Sequence, residues 1–317
     1  LVPHFEKMLY DNAQFISLLS NFCKIRPSKY LKLKISQTVN FIIKNFSIKS
    51  SGLLGSAYDA DSEGKEGKYY VFEYNELKNI ENIKDYFDIQ PSGNWEGKII
   101  LKEIKYPPDE IIQKLIKIRE KKIKPFFDNK IQLDLNSLWI NALVHAHEAF
   151  PKEGYLDLAE KFFISLEKQF DFSKLHHSNF KNIVFLEDYA NLINALISLS
   201  ENTMNTKYIL EAKKICDLTI RDFLVKDKNI FQKNKLNSTD LFFNPIDISD
   251  HTIPNGNSIM LRNLVKLGYE REGKDLAKSL NGYLNIYKSY MTSSIKSLDF
   301  YKSNLQIKKC DDQGCKI

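Results

Sequence analysis

Five short strings gather most of the side chains in this 317-residue sequence that could do chemistry. The first, Val-Pro-His-Phe-Glu-Lys-Met-Leu-Tyr-Asp-Asn-Ala (Val2–Ala13), is dense in ionisable groups for a helix start. Pro3 suits a first helical turn, where its missing N–H costs nothing, and Glu6 favours the positive end of the helix dipole. His4, Lys7 and Asp11 share a face at i, i+3 and i+7, a spacing that a capped helix with surface ion pairs would show as well. In the second string, Asp59-Ala-Asp-Ser-Glu-Gly-Lys-Glu-Gly67, an extended backbone points Asp59, Asp61 and Glu63 one way. Paired carboxylates serve as general acid and base when their surroundings separate their pKa values. The same groups could bind a hard cation or form a solvated turn; the lack of a glutamate at the twelfth loop position excludes an EF-hand. Asn94-Trp-Glu-Gly97 sets Trp95 in a turn, either as a platform for a sugar face or as a plug for the core. Leu186-Glu-Asp-Tyr-Ala190 places Glu187 and Asp188 in the first turn of a periodic helix, where dipole complementarity alone accounts for them. Asp250–Ser258 is a polar turn ahead of a helix that Asn257 or Ser258 would cap.

Helices must carry these strings. Apolar residues recur with helical period through Leu31, Ile35, Val39, Ile42 and Phe46, and again through Leu135, Leu138, Trp139, Ala142, Leu143 and Ala146. Tyr155–Phe170, Leu186–Ile197, Tyr208–Phe223 and Leu276–Tyr287 repeat the pattern. With weaker segments near Leu9–Phe22, Asn75–Phe87, Pro108–Ile123 and Asn257–Leu267, about ten helices are expected. Short polar turns such as Pro151–Gly154 and Glu201–Thr206 join them into antiparallel pairs, as in a bundle, a solenoid or a closed α/α ring. A Gly- and aromatic-rich stretch from Ser51 to about Lys102 breaks the pattern. Its strand-like pieces at Leu53–Ala57, Tyr69–Glu73 and Lys98–Leu101 make it a β-containing insertion, and a smaller excursion runs from Leu175 to Val184.

The composition narrows the class. A hydrophobic fraction of 43% supplies a sizeable core and argues against global disorder. The +6 net charge comes from scattered lysines, without the concentrated face and stacking aromatics of a nucleic-acid binder. No apolar run approaches the roughly 20 residues of a membrane span. Cys23 and Cys216 sit in apolar helical patterns as ordinary buried thiols. Cys310 and Cys315 form a lone Cys-x4-Cys, wrong for a redox motif and half of a zinc site. A reducing, cytoplasmic setting fits this usage. Phosphate loops, dinucleotide fingerprints and His-Glu-x-x-His are absent, and no cofactor or metal is expected.

In their order along the chain, Pro3–Ala13, Asp59-Ala-Asp-Ser-Glu-Gly64, Trp95-Glu-Gly97, Leu186–Ala190 and Asp250 with Pro254 and Gly256-Asn-Ser258 resemble one family. It contains the bacterial YyaL-type proteins and spermatogenesis-associated protein 20. The resemblance implies a mainly α fold, an (α/α)6-type toroid of antiparallel hairpins similar to six-hairpin glycosidases and N-acylglucosamine 2-epimerases. It places the toroid over residues 1–309 and a short tail over 310–317, with a thioredoxin-like domain and the first part of the toroid expected upstream. A ring opened in this way should bare an apolar seam near its first helices or its C-terminal pair. The sequence departs from the family pattern after Pro125. Where the family has Asp-Asp-Lys and then Trp-Asn-Gly, this chain has Asp128-Asn-Lys130 and then Leu135-Asn-Ser137, and the stretch from Ser293 to Cys310 is shorter.

Through the resemblance a sugar-like ligand becomes the expected partner, held in a central pocket. His4, Glu6, Asp59, Asp61 and Asp188 are then the expected catalytic groups, one as general acid and another as base, with His4 suited to a base near neutral pH. Tyr10, Asp11, Asn12, Glu63, Trp95, Glu187, Tyr189, Asp250 and Asn257 are the expected substrate contacts. Alternatively, the toroid recognises a client and the upstream thioredoxin-like domain does the chemistry.

Overall fold

The computed structural model describes residues 2–180, 183–238, 242–303, 309–311 and 314–316. The side chains of the Cys310–Ile317 tail lie outside those described. Eleven α-helices are present among the described residues. They are α1 (Leu9–Ile25), α2 (Lys29–Phe46), α3 (Tyr74–Leu77), α4 (Asp109–Arg119), α5 (Leu133–Ala149), α6 (Tyr155–Gln169), α7 (Leu186–Thr203), α8 (Thr206–Phe223), α9 (Gly256–Leu267), α10 (Glu270–Tyr287) and α11 (Thr292–Lys302). None is long and apolar enough to cross a membrane. The chain divides into two compact units: Leu1–Met8 with Ala57–Asp128, and Leu9–Ser56 with Asn129–Ile317.

In the first unit, three two-residue strands pair antiparallel, with Lys7–Met8 against Ala57–Tyr58 and the latter against Phe127–Asp128. Two apolar clusters fill it. One joins Phe72, Leu77, Ile83, Phe87, Ile99, Ile111 and Leu115; the other joins Phe5, Ala60, Val71 and Ile100, flanked by Tyr70 and Trp95. The Cβ-less Gly67 (φ +70°) lets the Phe5 ring approach the backbone, since a Cβ there would lie 2.6 Å from Phe5 Cε2.

The second unit is the toroid part. Helices α1, α5, α7, α9 and α11 pack side by side in that order, and α2, α6, α8 and α10 back them as the return arms of antiparallel hairpins. Burial separates the two sets. Inner helix α7 buries Leu186, Asn191, Leu192, Ala195, Leu196 and Ile197, spread around its whole circumference. Outer helix α8 buries only the stripe Tyr208, Ala212, Ile215, Cys216, Thr219 and Phe223. Two outer helices run into a small antiparallel strand pair before the chain turns inward: Ser47–Ile48 with Leu53–Leu54 after α2, and Leu224–Val225 with Ile230–Phe231 after α8. An asparagine of the next inner helix clamps each pair. The Asn136 amide bonds Leu54 N–H and C=O at 3.0 and 3.1 Å, and Asn257 does the same to Phe231 at 2.9 and 2.8 Å.

Helix α1 keeps an apolar stripe exposed: Phe15, Leu18, Phe22 and Ile25 recur at 3-4-3 spacing, with Leu18 at 65% and Ile25 at 87%. Exposed apolar stripes of this kind drive association. Replacing Leu18 and Phe22 by Gln should therefore shift the chain toward monomer in sedimentation velocity at unchanged helix content; unaltered self-association would rule the stripe out as its cause.

Candidate functional site at the helix N-termini

The inner helices present their N-terminal ends together. Gly256 N–H, opening α9, donates to Glu187 Oε1 of α7 at 3.3 Å. Ser293 N–H, in the first turn of α11, donates to Asp250 Oδ2 at 2.7 Å, and Gln14 of α1 reaches Thr252 O at 2.9 Å. Free N–H groups and positive dipole ends make this face a natural seat for carboxylates.

Two buried carboxylates and a half-buried histidine meet there. His177 Nδ1 lies 2.9 Å from Asp188 Oδ1 and 3.9 Å from Asp134 Oδ1. Asp134 stands in the first turn of α5 and accepts Leu135 N–H at 2.8 Å. Asp188 has no exposed surface; its Oδ2 accepts Phe185 N–H at 2.8 Å and so caps α7. His177 comes from the Leu175–Val184 excursion, which is stapled onto the start of α5. Leu133 N–H donates to His177 O at 2.9 Å, and Ile131 N–H to Asn179 Oδ1 at 2.8 Å. With 17% of its side chain exposed, His177 is the most accessible member of the three.

Proton counting sets its charge. Ser56 Oγ lies 2.7 Å from Lys130 O and 2.6 Å from the Gln132 amide, whose other end is 2.7 Å from His177 Nε2. Ser56 has one proton, which cannot serve two acceptors. Turning the Gln132 amide end for end resolves this, since amide orientation is inferred from the network. Its N–H₂ then donates to Ser56 Oγ, Ser56 donates to Lys130 O, and its carbonyl accepts from His177 Nε2–H. In that arrangement both ring nitrogens donate, which favours the protonated ring. Burial opposes that charge, but the Asp188 hydrogen bond and the charges of Asp188, Asp134 and Glu187 outweigh it, so His177 titrates above its usual range. Burial, then the Asp188 charge, pushes Asp134 up to about 7 against the pull of His177. Glu187 is raised as well, chiefly by burial. Asp134, His177 and Asp188 each offer a ligand atom within 4.8 Å of the others and could close around a divalent cation, in place of the proton on Nδ1.

The other expected site residues divide between the units. In the first unit His4 pairs with Glu6 at 3.2 Å, His4 being 71% exposed. Asp59 and Asp61 are exposed and joined by an Asx turn, Asp59 Oδ1 accepting Asp61 N–H at 3.1 Å. Glu63 bonds Lys68 at 2.7 Å, and Trp95 packs on Phe5 with centroids 5.1 Å apart. In the second unit Tyr10, Asp11 and Asn12 form the first turn of α1, and Tyr189 packs on Phe223 at 5.0 Å. Asp250 spends both oxygens on Asn255 and Ser293, and Asn257 clamps Phe231. Asp134, His177 and Gln132 are not among the residues that the sequence marks. The place of Asp188 in a helix's first turn is readable, but nothing in the sequence ties residue 177 to residue 134.

No protein-family model matches the chain. An uncharacterized protein of Caenorhabditis elegans is 26% identical over 332 residues, covering 84% of this chain and 44% of that protein. Human spermatogenesis-associated protein 20 is 23% identical over 332 residues, covering 84% and 42%. The chain thus spans less than half the length of these curated relatives. Among solved structures, the cellobiose 2-epimerase of Spirochaeta thermophila aligns with a TM-score of 0.57 at 11% identity, over 90% of this chain and 61% of that one. A family 76 α-mannanase of Bacteroides thetaiotaomicron aligns with a TM-score of 0.51 at 13% identity, over 93% and 68%. Both likenesses concern the fold, a mainly helical toroid of hairpins.

The raised Asp134 pKa has a signed consequence. Between about pH 4 and pH 7 the folded chain keeps a proton that the unfolded chain has released, so this group's contribution to stability declines as pH rises through that window. Asp134→Asn removes the ionised form while keeping an acceptor for Leu135 N–H. The variant should gain on the order of 2 kcal/mol over the parent in urea unfolding at pH 8, with the gain shrinking toward pH 4. An equal gain at both pH values would refute the shift.

Proposed function

We propose, from the premise that the chain belongs to the family of spermatogenesis-associated protein 20 and shares its toroid with sugar epimerases and α-mannanases, that the second unit binds a carbohydrate at the N-terminal ends of its inner helices and moves a proton on it. The observation that carries this is the Asp134–His177–Asp188 cluster. Asp134 exchanges its proton near neutral pH, where a general base is most useful. His177, held by Asp188, offers a fixed positive donor to an oxygen that gains charge.

The chemistry follows from these roles. The Asp134 carboxylate takes the proton from the carbon beside the carbonyl of an open-chain sugar. The electron pair moves to the carbonyl oxygen, which accepts the His177 Nε2–H after displacing the Gln132 carbonyl. Return of the proton to either face, or to the neighbouring carbon, gives an epimer or an isomer. Hydrolysis by a carboxylate pair needs a separation of about 5–5.5 Å for retention or 6.5–9.5 Å for inversion. Asp134 and Asp188 offer oxygens within 4.8 Å of each other, and Asp188 is fully buried with both oxygens bonded. Epimerase- or isomerase-type chemistry is therefore favoured over glycosidase chemistry. A thioredoxin-like domain in cis is proposed as a partner in the longer protein.

The test is exchange of the sugar C2 hydrogen in D₂O, followed by NMR, with the full-length protein and mannose, glucose and cellobiose. Exchange should fall by roughly 10²–10⁴-fold in Asp134→Asn and His177→Gln, both still cooperatively folded. Sugar binding without exchange would replace catalysis by recognition, and neither binding nor exchange would favour the client-recognition module.

A further inference from the structure

The first unit holds a second charged cluster that the proton-transfer chemistry does not use. Lys7 lies on the short strand paired with Tyr58, and its Nζ is 3.8 Å from the centroid of the Tyr70 ring. That ammonium donates to a carbonyl of its own segment, Phe5 O, at 2.6 Å. Arg119, the last residue of α4, stands 5.5 Å over the Tyr69 ring, and its Nε–H is buried with no acceptor. The Tyr69 and Tyr70 rings meet edge to face at 5.1 Å, and Tyr58 stacks on Phe127 at 4.7 Å, so aromatic walls surround both cations.

Burial and then the Arg119 charge hold Lys7 down to about 8, and Arg119 also acts on the Tyr70 hydroxyl. Elsewhere in this unit Lys68, Lys98 and Lys122 each reach a carboxylate, Glu63, Glu73 and Glu76 respectively. Two cations on adjoining tyrosine rings, one with a buried donor that has no acceptor among the described residues, form an arrangement that an anion would complete. The guanidinium supplies a planar fork for two oxygens of one group, and the ammonium a rotatable point charge for a third.

We propose that Lys7 and Arg119 form an oxyanion-binding site in the first unit, which takes the phosphate or carboxylate group of a small acidic ligand. The tyrosine walls would face the ligand's remaining atoms. This site does not depend on the sugar chemistry proposed for the second unit.

Inorganic phosphate and acetate are the probes, titrated calorimetrically into the 317-residue chain at constant ionic strength with chloride as the control. Binding of phosphate but not acetate would assign a phosphate ligand, and the converse a carboxylate; either supports the site. Arg119→Gln and Lys7→Met should each weaken the bound anion at least tenfold at unchanged circular dichroism. Should a variant fail to fold, reductive methylation of the unmodified chain gives a second measure. The bound anion should slow labelling of Lys7 at least fivefold and leave Lys68 unaffected. Binding of neither probe, equal affinity in Arg119→Gln, or labelling of Lys7 indifferent to the anion would overturn the proposal. C2-hydrogen exchange in Arg119→Gln tells this failure from that of the sugar site, because it reads Asp134 and His177 directly.

Discussion

Unsatisfied N–H groups at the ends of the inner helices are the constraint on which the second unit depends. Every helix begins with N–H groups that its own turns cannot satisfy, and here several such ends lie together in a protein interior. Carboxylates answer them: Asp188 takes Phe185 N–H, Glu187 takes Gly256 N–H, Asp250 takes Ser293 N–H and Asp134 takes Leu135 N–H. Three of these acids crowd within reach of one another's fields, so their charges cannot all be kept at low cost. His177 relieves the crowding as a cation, and Asp134 relieves it by holding a proton. The requirement that packs the helices thereby creates a group that titrates near neutrality.

Structural duty and candidate chemistry are interleaved at this face. Asp250 and Asn257 belong to strings rich in polar groups, yet their atoms are consumed in holding loops and strand pairs to helix starts. Asn136 has the same task two hairpins earlier. Its amide copies a strand partner for Leu54. Beside it Leu135 is buried, and Ser137 donates to Leu133 O at 2.7 Å within its own helix.

Opposite charges order the other end of the inner helices. Lys24 of α1 pairs with Glu148 of α5 at 2.5 Å, Asn202 of α7 bonds the same Glu148 at 3.3 Å, and Lys266 of α9 pairs with Glu201 of α7 at 2.7 Å. Lysines near helix C-termini complement the dipoles that favour acids at the N-termini. His145 is half-buried in this region and is held down to about 4, first by desolvation.

Much of the architecture was legible in the sequence because helical burial leaves a local record. A helix with one buried face must repeat apolar residues every three or four positions, so Ile35, Val39, Ile42 and Phe46 announced α2, and Tyr208, Ala212, Ile215 and Phe223 announced α8. Short turns between such stripes announced hairpins. Charged strings were legible as strings but not as sites. Asp188 carried a local mark, its place in a helix's first turn, whereas Asp134 and His177 lie 43 residues apart with no periodic relation. Their meeting depends on the staple between Ile131–Leu133 and His177–Asn179 and on the parallel alignment of α5 with α7. Both are products of packing over long separations. The sequence by itself therefore determined which segments are helices and which faces they bury, because those follow from local periodicity. Only the tertiary structure decided which acids share a proton, because a pKa depends on neighbours that the chain order does not name.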